Sequence, residues 1–111
     1  SMNELYELEQ QLLEKKKKKN ELIKVRTLLE SPIFKQVIRE DLCNKESMWL
    51  ISKLVNAPAA ERTNIINALD GISVIIAYLD KRLYECNTID SNIETVEQEI
   101  NDYIATHRSA I

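Results

Sequence analysis

Apolar residues recur at alternating spacings of three and four in two long segments, one at each end of the chain. In the segment that runs to Glu30 they are Leu5, Leu8, Leu12, Leu22 and Leu29, and the apolar seam is interrupted between Leu12 and Leu22, where Lys15 and Lys19 occupy the same face. In the last segment they are Cys86, Ile89, Ile93, Val96, Ile100, Tyr103, His107 and Ala110. This spacing is typical of helices that pack along a narrow seam against another helix. It predicts one long helix within residues 1–30 and another within residues 81–111.

The pattern between these segments predicts a body of shorter helices over residues 31–80. Ser31-Pro32 suits a helix start, because proline fits the first helical turn and serine can cap the free amides. We expect a break near Asn44 and a third helix that ends at Asn56-Ala57-Pro58. The body therefore contains several packed helices.

The last helix is predicted to begin at Ala59 and keeps its apolar stripe past Gly71. Ser91-Asn92-Ile93-Glu94 matches a capping box, so a joint near Asn87–Ser91 is one alternative. A continuous or slightly bent helix is the other, and we favour it because the stripe keeps its phase through this segment.

Charge suggests that the two end segments pair with each other. Lys15, Lys18 and Lys19 belong to a run of five lysines, and antiparallel pairing places this run opposite Glu94 and Glu97. Pairing two copies of the N-terminal segment would instead set the lysines against each other, which is unfavourable. The predicted fold class is all-α, in one domain of residues 1–111. It has a compact helical body and an antiparallel two-helix coiled-coil stalk, formed within one chain or by exchange between two.

More apolar residues occur in the body than one buried stripe requires. Val74, Ile75 and Tyr78 point away from the stripe of their own helix, and Met48 and Trp49 are adjacent in the third helix. One interpretation is that the shorter helices sandwich the last helix and cover both of its sides. The other is an exposed patch that binds a protein partner or a second copy. The five residues are our candidate partner-binding site.

Composition argues against catalysis and against cofactor or metal sites. The chain has one Gly, one His and two Cys among 111 residues. Phosphate-binding loops need several glycines, and ordinary zinc sites need more ligands than these residues supply. His107 has no nucleophile and no oxyanion-hole glycines beside it, so we expect a structural role. We predict no catalytic, cofactor or metal residues.

The lysine run allows a second interpretation, nucleic-acid binding. The net charge of −3 and the flanking Glu14 and Glu21 count against it, as does the absence of an accompanying aromatic or arginine cluster. No segment has the ~20 apolar residues of a membrane span. The acidic opening, Asn3–Glu9, predicts no secretion signal. We therefore expect an intracellular protein with reduced thiols at Cys43 and Cys86.

Three stretches carry a resemblance to a known group of proteins. They are Leu28 to Ile38, with its leucine pair, Ser-Pro and Phe-Lys; the Glu46–Leu54 helix; and the Ile65–Leu79 helix with Gly71-Ile72-Ser73. The chain resembles short helical accessory or virion-associated proteins of tailed bacteriophages. The resemblance implies a phage origin, the cytoplasm of an infected bacterium and no enzymatic activity.

The predicted function is therefore non-enzymatic protein binding. A small phage protein of this kind could occlude a bacterial protein, as inhibitors of host defence such as anti-CRISPR proteins do. The first alternative is a virion-associated structural protein that assembles with itself, and nucleic-acid binding through the lysine run is the second. We predict no cofactor, and either a bacterial protein or a second copy as the partner.

Overall fold

A computed structural model describes residues 2–108, and within this range every regular element is a helix. The all-α class predicted from the sequence is confirmed. In chain order the elements are α1 (Met2–Glu30), α2 (Pro32–Phe34), a π-helical segment (Lys35–Glu46), α3 (Ser47–Leu54) and α4 (Ala59–Arg108). Ala110, the last position of the predicted seam, lies outside the described residues.

The transition from α1 to α2 occurs at Ser31. The Phe34 amide donates to Ser31 Oγ at 3.4 Å, and Pro32 occupies the first helical turn. Ser31 itself is extended, with φ −61° and ψ 128°. Its own amide donates to the Leu28 carbonyl at 3.1 Å, which satisfies a group at the end of α1. Serine and proline thus end one helix and begin the next, as their chemistry predicts.

The chain does not break near Asn44, contrary to the expectation from sequence. Residues 35–46 form a wider helix in which amides bond five residues back, so that side chains five apart come close. Gln36 accordingly donates from Nε2 to Asp41 Oδ1 at 2.9 Å. From Phe34 to Ser47 the less exposed positions are Phe34, Ile38, Arg39, Leu42, Cys43 and Ser47. The wider turn places these side chains on one face, whereas the turn of an α-helix would distribute them around the helix axis.

The turn between α3 and α4 is closed by one arginine. The Arg62 side chain donates from Nη1 to the Leu54 carbonyl at 2.9 Å, and the Arg62 amide donates to the Pro58 carbonyl at 2.9 Å. The last carbonyls of a helix lack partners within it, so a cation that reaches back satisfies them. Arg62 therefore fastens the end of α3 to the first turn of α4.

Helix α4 is continuous from Ala59 to Arg108, so the favoured alternative is correct and no joint forms at Asn87–Ser91. Ser91 does not cap a helix, since its hydroxyl donates to the Thr88 carbonyl at 2.9 Å in the preceding turn. Gly71 also lies within α4 and has no positive φ.

The described residues divide into two units. Residues 2–25 and 84–108 form the first, and Arg26–Leu83 form the second. In the first unit a buried cluster contains Leu22, Cys86, Ile89 and Ile93, with Leu12 and Val25 packed against it. In the second unit the buried apolar residues are Leu29, Cys43, Leu50, Ile65, Ile72 and Leu79. Both cysteines are free buried thiols.

Candidate interaction surfaces

Three exposed apolar side chains follow one face of α3, two within the helix and the third, Val55, at the residue directly after it. Met48 and Val55 are 64% and 76% exposed, and Ile51 between them is also exposed. Their spacing of three and then four residues places them on the same side of the helix. Leu50 is buried and Leu54 is half-buried, so they provide the packing face of α3. We call Met48, Ile51 and Val55 the α3 stripe.

Trp49 lies to another side of α3, because adjacent helical residues do not face the same direction. Its ring is half exposed and carries a contact of its own, with Lys53 Nζ 3.9 Å from the ring centroid. Lys53 is also the one charged residue of the α3 sequence. Met48 and Trp49, adjacent in the predicted site, are therefore exposed on different sides of the helix.

A second exposed stripe lies on α4. Val74 is 70% exposed and Tyr78, one turn later, is 57% exposed; Ile75 at its edge is more shielded. The expectation that the shorter helices would sandwich α4 is wrong for this face, because Val74 and Tyr78 remain largely open. The covered face of α4 carries Ile65, Ile72 and Leu79, which are buried.

Gly71 precedes Val74 by three residues and lies on the same face of α4. A Cβ atom built on Gly71 would meet no heavy atom within 4 Å, so neither packing nor backbone geometry among the described residues requires glycine there. Glycine in a helix interior lowers stability by roughly 0.5–1 kcal/mol relative to alanine. We call Gly71, Val74 and Tyr78 the α4 stripe.

The lysine run contacts carboxylates of α4, but not the predicted ones. Lys18 Nζ lies 2.5 Å from Glu85 Oε2, and Lys19 Nζ lies 2.7 Å from Asp90 Oδ1. The expected pairing with Glu94 and Glu97 is corrected by these contacts. Glu85 and Asp90 come nine and four residues before Glu94 in α4. The physical reason is the long, flexible lysine side chain, whose ammonium group can reach carboxylates other than those directly opposite its own position.

Lys15 and Glu94 line different grooves of the first unit. Lys15 lies beside Thr88 and Asn92, whereas Glu94 lies beside Thr95 and Gln98 in a shallow surface depression. Two of the five lysines are thus engaged with carboxylates, which reduces the cationic surface available to a phosphate backbone.

His107 faces an open cavity of about 460 Å³ in the first unit. Its Nδ1 lies 2.9 Å from the Tyr103 carbonyl, and its ring stacks on Tyr103 with centroids 3.8 Å apart. Glu4, Glu7 and Asp102 also line this cavity. Within residues 2–108 no three His, Cys, Asp or Glu side chains are grouped so that they could hold a metal ion. The His107 ring is thus held by its own helix turn.

Of the helices described, none combines the length and the apolar character needed to cross a bilayer. The chain matches no protein-family model, no curated protein and no solved structure. The features that bear on function are therefore the α3 stripe, the α4 stripe and the contacts of the lysine run.

Two residues of the α3 stripe, Ile51 and Val55, were missed as surface positions by reasoning from the sequence. Interpreted from the sequence, the apolar face of the third helix comprised Met48, Trp49, Ile51, Leu54 and Val55. A usable signal exists, because Leu50 and Leu54 are four apart, and this spacing defines a buried face that excludes Ile51.

Proposed function

We propose that this protein acts without catalysis, by binding another protein through the α3 stripe. The observation that carries the proposal is the exposure of three large apolar side chains at helical spacing, two on the short helix α3 and one at the residue that follows it. Single exposed apolar residues are ordinary, but a contiguous group marks a contact surface. Full burial of one such side chain is worth about 1.5–3 kcal/mol. The stripe is therefore a plausible energetic centre for an interface.

The chemistry of α3 specifies the kind of surface that it would fit. Lys53 is held at the Trp49 ring, and the remaining polar residues of the helix, Ser47 and Ser52, are uncharged. Interface centres are depleted of charged residues and enriched in methionine and aromatic side chains. A helix with anchors three, four and seven residues apart suits an apolar groove. The proposed partner surface is an uncharged apolar groove on a folded protein.

The proposed partner is a bacterial protein whose surface is occluded when this chain binds. The resemblance to phage accessory proteins supports this source, and the mode of action would be that of a host-defence inhibitor. Occlusion requires neither a cofactor nor a reactive residue. It requires only that the α3 stripe cover a surface that the partner uses.

We further propose that the first unit is an antiparallel coiled-coil stalk and the second a compact helical body. The Lys18–Glu85 and Lys19–Asp90 ion pairs support the stalk, as does the cluster that joins Leu22 to Cys86, Ile89 and Ile93. In addition, Glu4 and Glu7 line one cavity with Tyr103 and His107. Low-numbered residues thus accompany high-numbered ones, as antiparallel pairing requires.

The test is capture of a partner from a nuclease-treated bacterial lysate, with mass spectrometry as the readout. Tagged wild-type chain, Ile51→Glu and Ile33→Glu are compared. Ile33 is a matched control, because it is an exposed isoleucine of the same unit outside the α3 stripe. We expect one protein in stoichiometric amount with the wild type and Ile33→Glu, and its loss with Ile51→Glu. Equal recovery with Ile51→Glu, or no stoichiometric protein at all, contradicts the proposal.

A further inference from the structure

We propose that the α4 stripe is a docking site for the same stripe on a second copy of this chain, with the two α4 helices antiparallel. This inference does not depend on the partner proposed for the α3 stripe, which lies on a different helix. It rests on the spacing, the charges and the glycine of one face of α4.

The spacing of this face is the same when it is read in either direction. Gly71, Val74, Tyr78 and Lys81 are separated by three, four and three residues. A two-fold axis beside position 76 therefore places Val74 against Tyr78 of the second copy, and Gly71 against Lys81 of the second copy. Every contact then occurs twice, as two-fold symmetry requires of a self-complementary surface.

The charges on this face select the antiparallel arrangement. Asp70 lies at the start of the face and Lys81 at its end, and both side chains are exposed. Antiparallel pairing brings Asp70 of each copy beside Lys81 of the other, so that two ion pairs flank the apolar centre. Parallel pairing in register would bring Asp70 beside Asp70 and Lys81 beside Lys81, which is unfavourable.

Gly71 supports close approach of a second helix. The space around its missing Cβ is open, and its backbone conformation is one that any residue adopts in a helix. A glycine there leaves room for another chain's side chain to lie against the α4 backbone. In the proposed arrangement this room is taken by the aliphatic part of Lys81 of the second copy.

The size of the stripe sets the strength of the association. Each copy contributes two large apolar side chains, Val74 and Tyr78, which is far less than a permanent dimer buries. Such small contacts form weak, concentration-dependent complexes. We expect a dimer dissociation constant on the order of 100 µM.

Sedimentation equilibrium of the full chain between 10 µM and 1 mM tests the proposal, with charge reversal at the two ends of the face. Asp70→Lys and Lys81→Asp should each weaken the dimer about tenfold, because each places like charges together at two symmetric sites. The double variant Asp70→Lys/Lys81→Asp should restore the dimer to within about threefold of the wild type. A chain that stays monomeric at 1 mM overturns the proposal, and so does a double variant no stronger than the single ones.

A second pair of variants separates this interface from the proposed function. Val74→Glu should abolish the dimer, whereas Met48→Glu, which alters the α3 stripe, should leave it unchanged. Far-ultraviolet circular dichroism should show equal helix content in all variants, because the altered side chains are exposed. A dimer that survives Val74→Glu, or one lost with Met48→Glu, overturns the assignment to α4.

Discussion

The two units differ in what their exposed surfaces offer to another molecule. In the first, the exposed apolar residues of α1 are Met2, Tyr6, Leu13 and Ile23, and they share that helix with the run Lys15–Lys19, of which two lysines contact carboxylates. In the second, exposed apolar residues follow each other at helical spacing along α3, which carries a single charged residue, and again on α4. Both units thus expose apolar side chains, but those of α1 lie on a highly charged helix. Interface centres are depleted of charged residues, and this is why we place binding in the second unit.

The largest effect is expected from the seam of the first unit. Leu22 is buried in the cluster with Cys86, Ile89 and Ile93. Leu22→Ala removes a packed side chain and leaves a cavity, so the free energy of unfolding should fall by about 2–5 kcal/mol. Urea denaturation measures this loss. The control Leu13→Ala, on the same helix but exposed, should change stability by less than about 0.5 kcal/mol. Equal losses of stability from Leu22→Ala and Leu13→Ala would contradict the claim that Leu22 packs in the seam and Leu13 lies on the surface.

Gly71→Ala should have the next largest effect, with the opposite sign. The new Cβ meets open space and the backbone is already helical, so alanine should stabilise the protein by roughly 0.5–1 kcal/mol. Thermal unfolding at low protein concentration, where the chain is monomeric, measures the gain. A loss of stability would mean that something packs on this face within one chain.

The ion pair between Lys18 and Glu85 should contribute less. The Lys18 side chain is about half exposed and the Glu85 side chain is 14% exposed, so solvent screens the pair only in part. A double-mutant cycle with Lys18→Ala and Glu85→Ala should give a coupling of about 0.5–1 kcal/mol that decreases at high salt. The same cycle with Lys18 and Glu94 should give no coupling. A coupling to Glu94 of similar size would restore the ion pairing predicted from the sequence.

The smallest effect on stability should come from the α3 stripe, because more than half of each of its side chains is exposed. Ile51→Ser and Val55→Ser should each change the free energy of unfolding by no more than about 0.5 kcal/mol. Leu50→Ala, on the buried side of the same helix, should cost about 2–4 kcal/mol. Chemical denaturation of the three variants shows whether the exposed and buried faces of α3 differ as described. A large loss of stability from Ile51→Ser would mean that the α3 stripe contributes to the stability of the fold.

The seam of the first unit could be predicted because a regular helix repeats every 3.6 residues. Leu22, Cys86, Ile89 and Ile93 all lie at spacings of three or four from other apolar residues, and all four are buried. Ser31-Pro32 was predicted as a helix boundary for an equally local reason, since the serine side chain and the proline ring act on neighbouring amides.

The π-helical segment could not be predicted with the same rule. The sequence was interpreted as two short helices with a break near Asn44. The structure instead continues through residues 35–46 as a wider helix, which is rare and has no propensity signal of its own. The less exposed positions between Phe34 and Ser47 share one face only at this wider period.

Exposure and ion pairing depend on how elements pack, which periodicity does not specify. Val74 and Tyr78 were identified as pointing away from the buried stripe of α4, yet a second covering helix was also compatible with the sequence. Lys18 was expected near Glu94 but contacts Glu85. Apolar periodicity places Leu22 beside Ile89, but it does not specify which carboxylate a long lysine side chain reaches.

The measurement that tests the account most directly is the affinity of the captured partner for the wild-type chain and for Ile51→Glu, determined by titration calorimetry. A central apolar anchor typically contributes at least about 2 kcal/mol, and a buried glutamate adds a desolvation cost. The account predicts that Ile51→Glu weakens binding at least about 100-fold while Ile33→Glu binds as the wild type does. Equal affinities for the wild type and Ile51→Glu would contradict the claim that the exposed face of α3 is the binding site.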